Sequence, residues 1–187
     1  MNTPNILIAC RIFEKELQAV LSHDADTEIL WVDASLHADL PRLEKELMEC
    51  LSSSNASDGS VRILFGKGCH PDIDLIGKEY RAKIPQVKNC IEAFLGEKIK
   101  ELEKNSTMIM TPGWVRAWPN IMKVLGWDEV DVRINLGRYH RILIIDAGLD
   151  PLTDEEILSF FDLVQVPIEI EHLDLHHFRN LISKLLE

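Results

Sequence analysis

Three of the chain's four cysteines stand where a strand-like run gives way to a loop or a helix. Cys10 closes the apolar run that starts at Asn5, and Cys69 follows the run Val61 to Phe65 and the turn Gly66-Lys67-Gly68. Cys90 follows Asn89 at the head of a helical pattern through Ile91, Phe94 and Leu95. Thiolate sulfur is a soft ligand: three such groups can hold zinc with a fourth position left for water, histidine or substrate, or an iron–sulfur cluster with one iron left to another ligand. His70, next to Cys69, is the candidate further ligand. A helix dipole would favour the thiolate of Cys90. The opposing reading is that each cysteine is a small buried hydrophobe, and without a Cys-x-x-Cys pair the spacing does not choose between the two. Cys50, mid-helix and two residues from Met48, lies outside the group.

Other residues at strand ends widen the candidate cleft. Asp33 and Asp146 each end an aliphatic run and can serve as general acids or bases, as orienting groups or as helix caps. His37 sits in the loop after Asp33. Trp114 follows Thr111-Pro112-Gly113, where it either stacks on a planar ligand or fills the core beneath the cleft. Gly66-Lys67-Gly68 could cradle a phosphate, but it lacks both the P-loop and the dinucleotide pattern. His172, His176 and His177 suggest a second metal site. On a terminal helix His172 and His176 would share one face, and a solvent-facing pair accounts for them.

Positioning these residues takes alternating strands and helices. Strands are predicted at Asn5–Cys10, Glu28–Asp33, Val61–Gly66, Thr107–Met110 and Arg141–Gly148, with a proline-marked edge strand at Val166–Ile170 and a weak one at Ala82–Pro85. Helical spacing runs through Ile12–Leu21, from Pro41 with a core face of Leu43, Leu47 and Leu51, and from Asn89 to Leu102. It returns from Val115 to Asn135, with breaks expected at Pro119 and Gly126, from the capped start at Thr153, and from Leu173 to Leu185. Asp24, Asp26 and the Ser52–Gly59 run mark turns. The expected fold is α/β: a mostly parallel sheet with helices on both faces, in a single domain of 187 residues whose halves, 1–105 and 106–187, could face one another across a cleft. Ligands of such sheets gather at the carboxyl ends of the strands, which is where Cys10, Asp33, Cys69, Cys90, Trp114 and Asp146 would meet.

Composition narrows the partners. A formal net charge of -11 with no basic stripe argues against nucleic acid and anionic membrane surfaces. No run approaches the roughly 20 apolar residues of a spanning helix, and Met1-Asn2-Thr3-Pro4 has no basic start or cleavage site. A cytoplasmic location with reduced thiols is the expectation.

Several of these motifs recur together elsewhere. Ile8-Ala9-Cys10 with Phe13-Glu14 and Glu16-Leu17, Leu36-His37, Gly66 to Cys69, Asn89-Cys90-Ile91 with Phe94-Leu95-Gly96, Thr111 to Trp114 and Ile145 to Leu149 resemble the uncharacterised family called domain of unknown function 1638. The resemblance implies cysteines matching Cys10, Cys69 and Cys90, and an origin in anaerobic bacteria or methanogenic archaea beside genes for corrinoid-dependent methyl transfer. Where the family loop continues Leu-Cys-Gly this chain has Gly68-Cys69-His70-Pro71, and where the family has His-Asp-Cys it has Lys88-Asn89-Cys90.

The first functional expectation is a metal-binding α/β protein whose Cys10, Cys69 and Cys90 hold zinc or an iron–sulfur cluster, linked to corrinoid-dependent methyl transfer and taking a small molecule in the strand-edge cleft. A second is a non-enzymatic accessory protein that binds a corrinoid methyltransferase or the corrinoid itself. The corrinoid signature Asp-x-His-x-x-Gly is absent, so direct lower-axial ligation is not expected. A third is a thiol enzyme with Cys69 as nucleophile, supported by His70 or Asp146.

Overall fold

Uninterrupted aliphatic runs suit parallel strands covered on both faces. In the computed structural model of the chain, which describes residues 5–21, 27–53, 61–104 and 106–187, they form two three-stranded sheets. The first joins β1 (Asn5–Cys10), β2 (Thr27–Val32) and β3 (Val61–Leu64) in the order β2-β1-β3. The second joins β4 (Thr107–Met110), β5 (Arg141–Asp146) and β6 (Ile168–His172) in the order β4-β5-β6. Every pairing is parallel. The expected weak strand is a single bridge, in which Lys83 pairs with Arg62 at the free edge of β3. Asp24, Asp26, Asn105 and positions 54–59 of the serine-rich run lie outside the described residues.

Helices carry the crossovers. A 3-10 turn (Arg11–Phe13) and α1 (Glu14–Val20) follow β1, and a second 3-10 turn (Ala34–Ala38) and α2 (Leu40–Ser53) follow β2. The short helices α3 (Ile73–Glu79), α4 (Cys90–Leu95) and α5 (Ile99–Leu102) lead to β4. Then come α6 (Pro112–Leu125), α7 (Glu129–Leu136), α8 (Asp154–Val164) and, after β6, α9 (His176–Leu186).

Strand periodicity sorts the core. Ile142 and Ile144 of β5 pack with Val115, Trp118, Ile121, Val132 and Phe160 under α6, α7 and α8. Leu143 and Ile145, on the opposite face of the same strand, belong to the larger cluster built by the first sheet. The last helix joins the halves. It follows the second sheet, yet Phe178 stacks 5.5 Å from Phe13 and lies 4.7 Å from Phe94. Arg62, buried in β3, donates to the carbonyls of Leu185 and Leu186 and so satisfies backbone acceptors that the end of α9 leaves free.

Three sequence expectations change. The helix does not break at Pro119: α6 runs through it and ends at Gly126, which takes φ 67°. An internal proline costs about 3 kcal/mol, but Pro119 lies on the exposed face, while Val115, Trp118 and Ile121 hold the other face in the core. His172 is not on the terminal helix; it ends β6 opposite Asp146. His176 Nε2 pairs with Asn180, and His177 lies against Gly96; His172 and His176 therefore do not share a helix face, although both are exposed to solvent as expected. His37 sits in a 3-10 turn rather than an irregular loop. Among the described residues no helix is long and apolar enough to cross a membrane.

Candidate functional site

In the first sheet the chain passes from central β1 to β2 on one side, then returns past β1 to β3 on the other. The loops after β1 and β3 therefore diverge at the crevice where α/β sheets bind ligands. Cys10 ends β1, and Cys69 lies in the loop after β3. The glycines of that loop have a packing role: a Cβ on Gly66 would come within 2.4 Å of the Lys88 carbonyl, and one on Gly68 within 2.9 Å. Lys67 N and Gly68 N donate to the carbonyls of Val87 and Lys88. This docks the loop onto the segment that enters α4. Asn89 Oδ1 caps α4 by accepting from Glu92 N at 2.9 Å, which fixes Cys90 as the first helical residue.

The three cysteines are thereby buried together, with exposures of 2%, 4% and 4% for Cys10, Cys69 and Cys90. Burial pushes all three thiols up, Cys90 to about 12. Negative charge on Cys69 or Cys90 raises Cys10 further, and charge on Cys69 raises Cys90. Trp114 opposes this, since its indole Nε1–H donates to Cys90 Sγ at 3.1 Å. Thiolate sulfur is the donor type that zinc and iron–sulfur centres take. Among the described residues no group of three or more His, Cys, Asp or Glu is placed so that it could hold a metal ion.

The remaining candidates separate. His70 is buried, but its Nδ1 accepts from Asp72 N at 3.2 Å within its own turn. His37 packs edge-on against Trp114, with ring centroids 5.4 Å apart, and among the described residues its buried Nδ1 has no hydrogen-bond partner. Desolvation lowers the pKa of His37. Asp33 and Asp146 both turn one oxygen to nearby backbone: Asp33 Oδ1 accepts from Ser35 N, and Asp146 Oδ1 from Gly148 N, each at 2.8 Å. Trp114 lies at the contact of the two core clusters.

A cleft of about 260 Å³ opens where the carboxyl edges of the two sheets meet, walled by Ile12, Ala34, Pro112 and Ala117. Asp33 and Asp146 line it, and so do Glu16 and Arg116, which sequence reasoning missed. The signal for Glu16 was present: it falls between Phe13 and Val20 at helical spacing, a carboxylate on an apolar face. It is 7% exposed, and burial raises its pKa, with Asp146 and Asp150 adding to the effect. Arg116 grips Glu156 at 2.7 and 3.2 Å and Asp150 at 3.1 Å. That hydrogen-bonded guanidinium, helped by Thr153 N–H, holds Glu156 down to about 2. Nothing local in the sequence pairs Arg116 with a carboxylate forty residues away.

A family model described as Protein of unknown function (DUF1638) matches residues 31–182, most of the chain. The matched stretch contains Cys69, Cys90, Trp114 and Asp146 and begins after Cys10. No curated protein and no solved structure matches the chain.

Proposed function

We propose that this chain, which belongs to that family, holds a metal centre on Cys10, Cys69 and Cys90, either zinc or an iron–sulfur cluster. The observation that carries the reading is the burial of three thiols at the β1/β3 crevice, close enough for charge on one to raise the pKa of another. Buried like charges are unfavourable unless a cation neutralises them. A bound metal would supply that charge, and with an open position it would supply Lewis acidity or, as a cluster, an electron. The chain's own contribution is positional. The docked glycine loop sets Cys69 beside the entry to α4, the Asn89 cap fixes Cys90, and Trp114 N–H orients the Cys90 sulfur. Burial keeps bulk water from the sulfurs.

The geometry favours this over a Cys69 nucleophile. That thiol is 4% exposed and pushed away from ionisation, while His70 Nδ1 and Asp146 Oδ1 are turned to backbone N–H groups elsewhere. Metal and acid-labile sulfide analysis of protein purified without oxygen tests the proposal. The expected result is stoichiometric zinc, or iron with sulfide, lost in Cys10→Ser, Cys69→Ser and Cys90→Ser and kept in Cys50→Ser. Substoichiometric metal that none of the substitutions changes overturns it.

A further inference from the structure

The charged cleft at the seam between the sheets poses a separate problem, although its Asp33 lies near enough to act on Cys10. Glu16 is more than nine-tenths buried, yet among the described residues no side chain donates to its carboxylate. A buried carboxylate is ordinarily paired, because leaving its charge desolvated is costly. The cations in the lining are engaged elsewhere: Arg11 with Glu14 at 3.1 Å, Lys15 with Asp150 at 3.6 Å, and Arg116 with Glu156 and Asp150. Asp33 and Asp146 each commit Oδ1 to a backbone N–H, and among the described residues neither forms an ion pair. Among the described residues the lining thus holds three carboxylates without a side-chain ion pair, one of them buried, and of these only Asp146 feels the charge of Arg116.

We propose that this cleft binds a small organic cation, a protonated amine on a short apolar body, with Glu16, Asp33 and Asp146 accepting from the ammonium group. An anion entering the cleft would meet these carboxylates before any unengaged cation. A bare divalent ion needs convergent oxygens and has no use for walls of Ile12, Ala34, Pro112 and Ala117 carbon, whereas a hydrocarbon body does. The volume of about 260 Å³ limits the occupant to a compact molecule. The raised pKa of Glu16 fits the same picture, since a bound ammonium would restore its ionised form.

The test is an amide NMR titration of the full chain with three probes of similar shape, butylammonium, butan-1-ol and butyrate, at fixed ionic strength. Butylammonium should give saturable shifts at Ile12, Gly113 and Ala117 that the other two do not. Glu16→Gln should weaken binding at least tenfold, and Asp146→Asn, which keeps the acceptor for Gly148 N–H, about threefold. If Glu16→Gln does not fold, Asp33→Asn and Asp146→Asn together carry the test, with tenfold weakening expected. Equal binding of butanol or butyrate overturns the proposal, as does binding untouched by the carboxylate substitutions. Magnesium saturating the same residues at lower concentration overturns it in favour of a metal site. Butylammonium should bind alike to the protein as purified and to protein stripped of metal, so failure of the thiol centre and failure of the amine site are separate outcomes.

Discussion

The crevice of the first sheet and the cleft between the sheets follow the same edge rule and end in opposite chemistry. At the β1/β3 crevice the strands deliver thiols that are dry, neutral and pushed up in pKa by burial. At the seam the loops deliver carboxylates and guanidinium in ion pairs, and Glu156 is pulled down instead. Topology explains the difference. The order β2-β1-β3 contains a reversal, so the loops after β1 and β3 diverge and the chain closes the gap by docking its own glycine loop onto Lys88 and Asn89. The order β4-β5-β6 contains none. Its edge becomes a cleft only because the first half faces it, and that shared boundary stays open to water.

If both sites hang on one core, the largest effect should come from the residue that joins the halves. Phe178 of α9 is fully buried and packs on Phe13 and Phe94. Phe178→Ala should cost about 3–5 kcal/mol in urea unfolding. A single transition is expected, followed alike by tryptophan fluorescence and by far-ultraviolet circular dichroism; two separated transitions would break the comparison by making the halves independent.

The next effect is alkaline and belongs to the crevice alone. A thiol whose folded pKa lies above its unfolded value of about 9 keeps its proton in the native state after the unfolded chain has lost it. Its stabilising contribution is therefore full below pH 9 and is lost as pH rises toward about 12. The slope should be about 1.4 kcal/mol per pH unit for each thiol that stays protonated. Denaturant midpoints of metal-free protein from pH 7 to 10.5 should show this fall. Cys90→Ser should make it shallower, and metal loading should flatten it because the sulfurs are then already ionised.

Much of the fold was legible from period alone. The aliphatic runs at Asn5, Val61 and Arg141 became strands, and the Asn89 and Thr153 caps start helices where the sequence placed them. Pro119 misled because local propensity says nothing about which face of a helix the core will hold. His172 was misplaced on the terminal helix because β6 runs on to it, a boundary set by pairing with β5 rather than by any residue preference. The cysteines were legible as strand-end residues, but their proximity depends on Gly66 and Gly68 meeting a backbone twenty residues on. Arg116 was missed because its partners Asp150 and Glu156 lie thirty to forty residues on, and Glu16 because the carboxylates that act on it, Asp146 and Asp150, come from the other half.

A smaller effect sharpens the thiol side. Trp114→Phe keeps an aromatic ring near His37 and both core clusters but removes the N–H on Cys90 Sγ. The loss should be about 1 kcal/mol, that of one hydrogen bond. The Cys90 thiolate should also form at higher pH, seen as a delayed rise in absorbance near 240 nm. An unchanged titration would mean that the indole fills space without acting on the sulfur.

The smallest effect belongs to the seam and has the opposite sign in pH. Glu156 is held at about 2 against its ordinary 4.5, so its stabilising contribution is present above about pH 4.5 and is lost as pH falls toward 2. Glu156→Gln isolates the charge, because glutamine can still accept from Thr153 N–H and preserve the capping box at the start of α8. Both partners are one-third exposed, so the pair is screened, and the loss at pH 7 should stay within about 1 kcal/mol. It should shrink in high salt, and the two proteins should converge near pH 2. The thiol limb above pH 9 should be identical in both, since Glu156 is not among the groups that shift the cysteines. A variant that moved both limbs would show the crevice and the cleft to be one electrostatic unit rather than two.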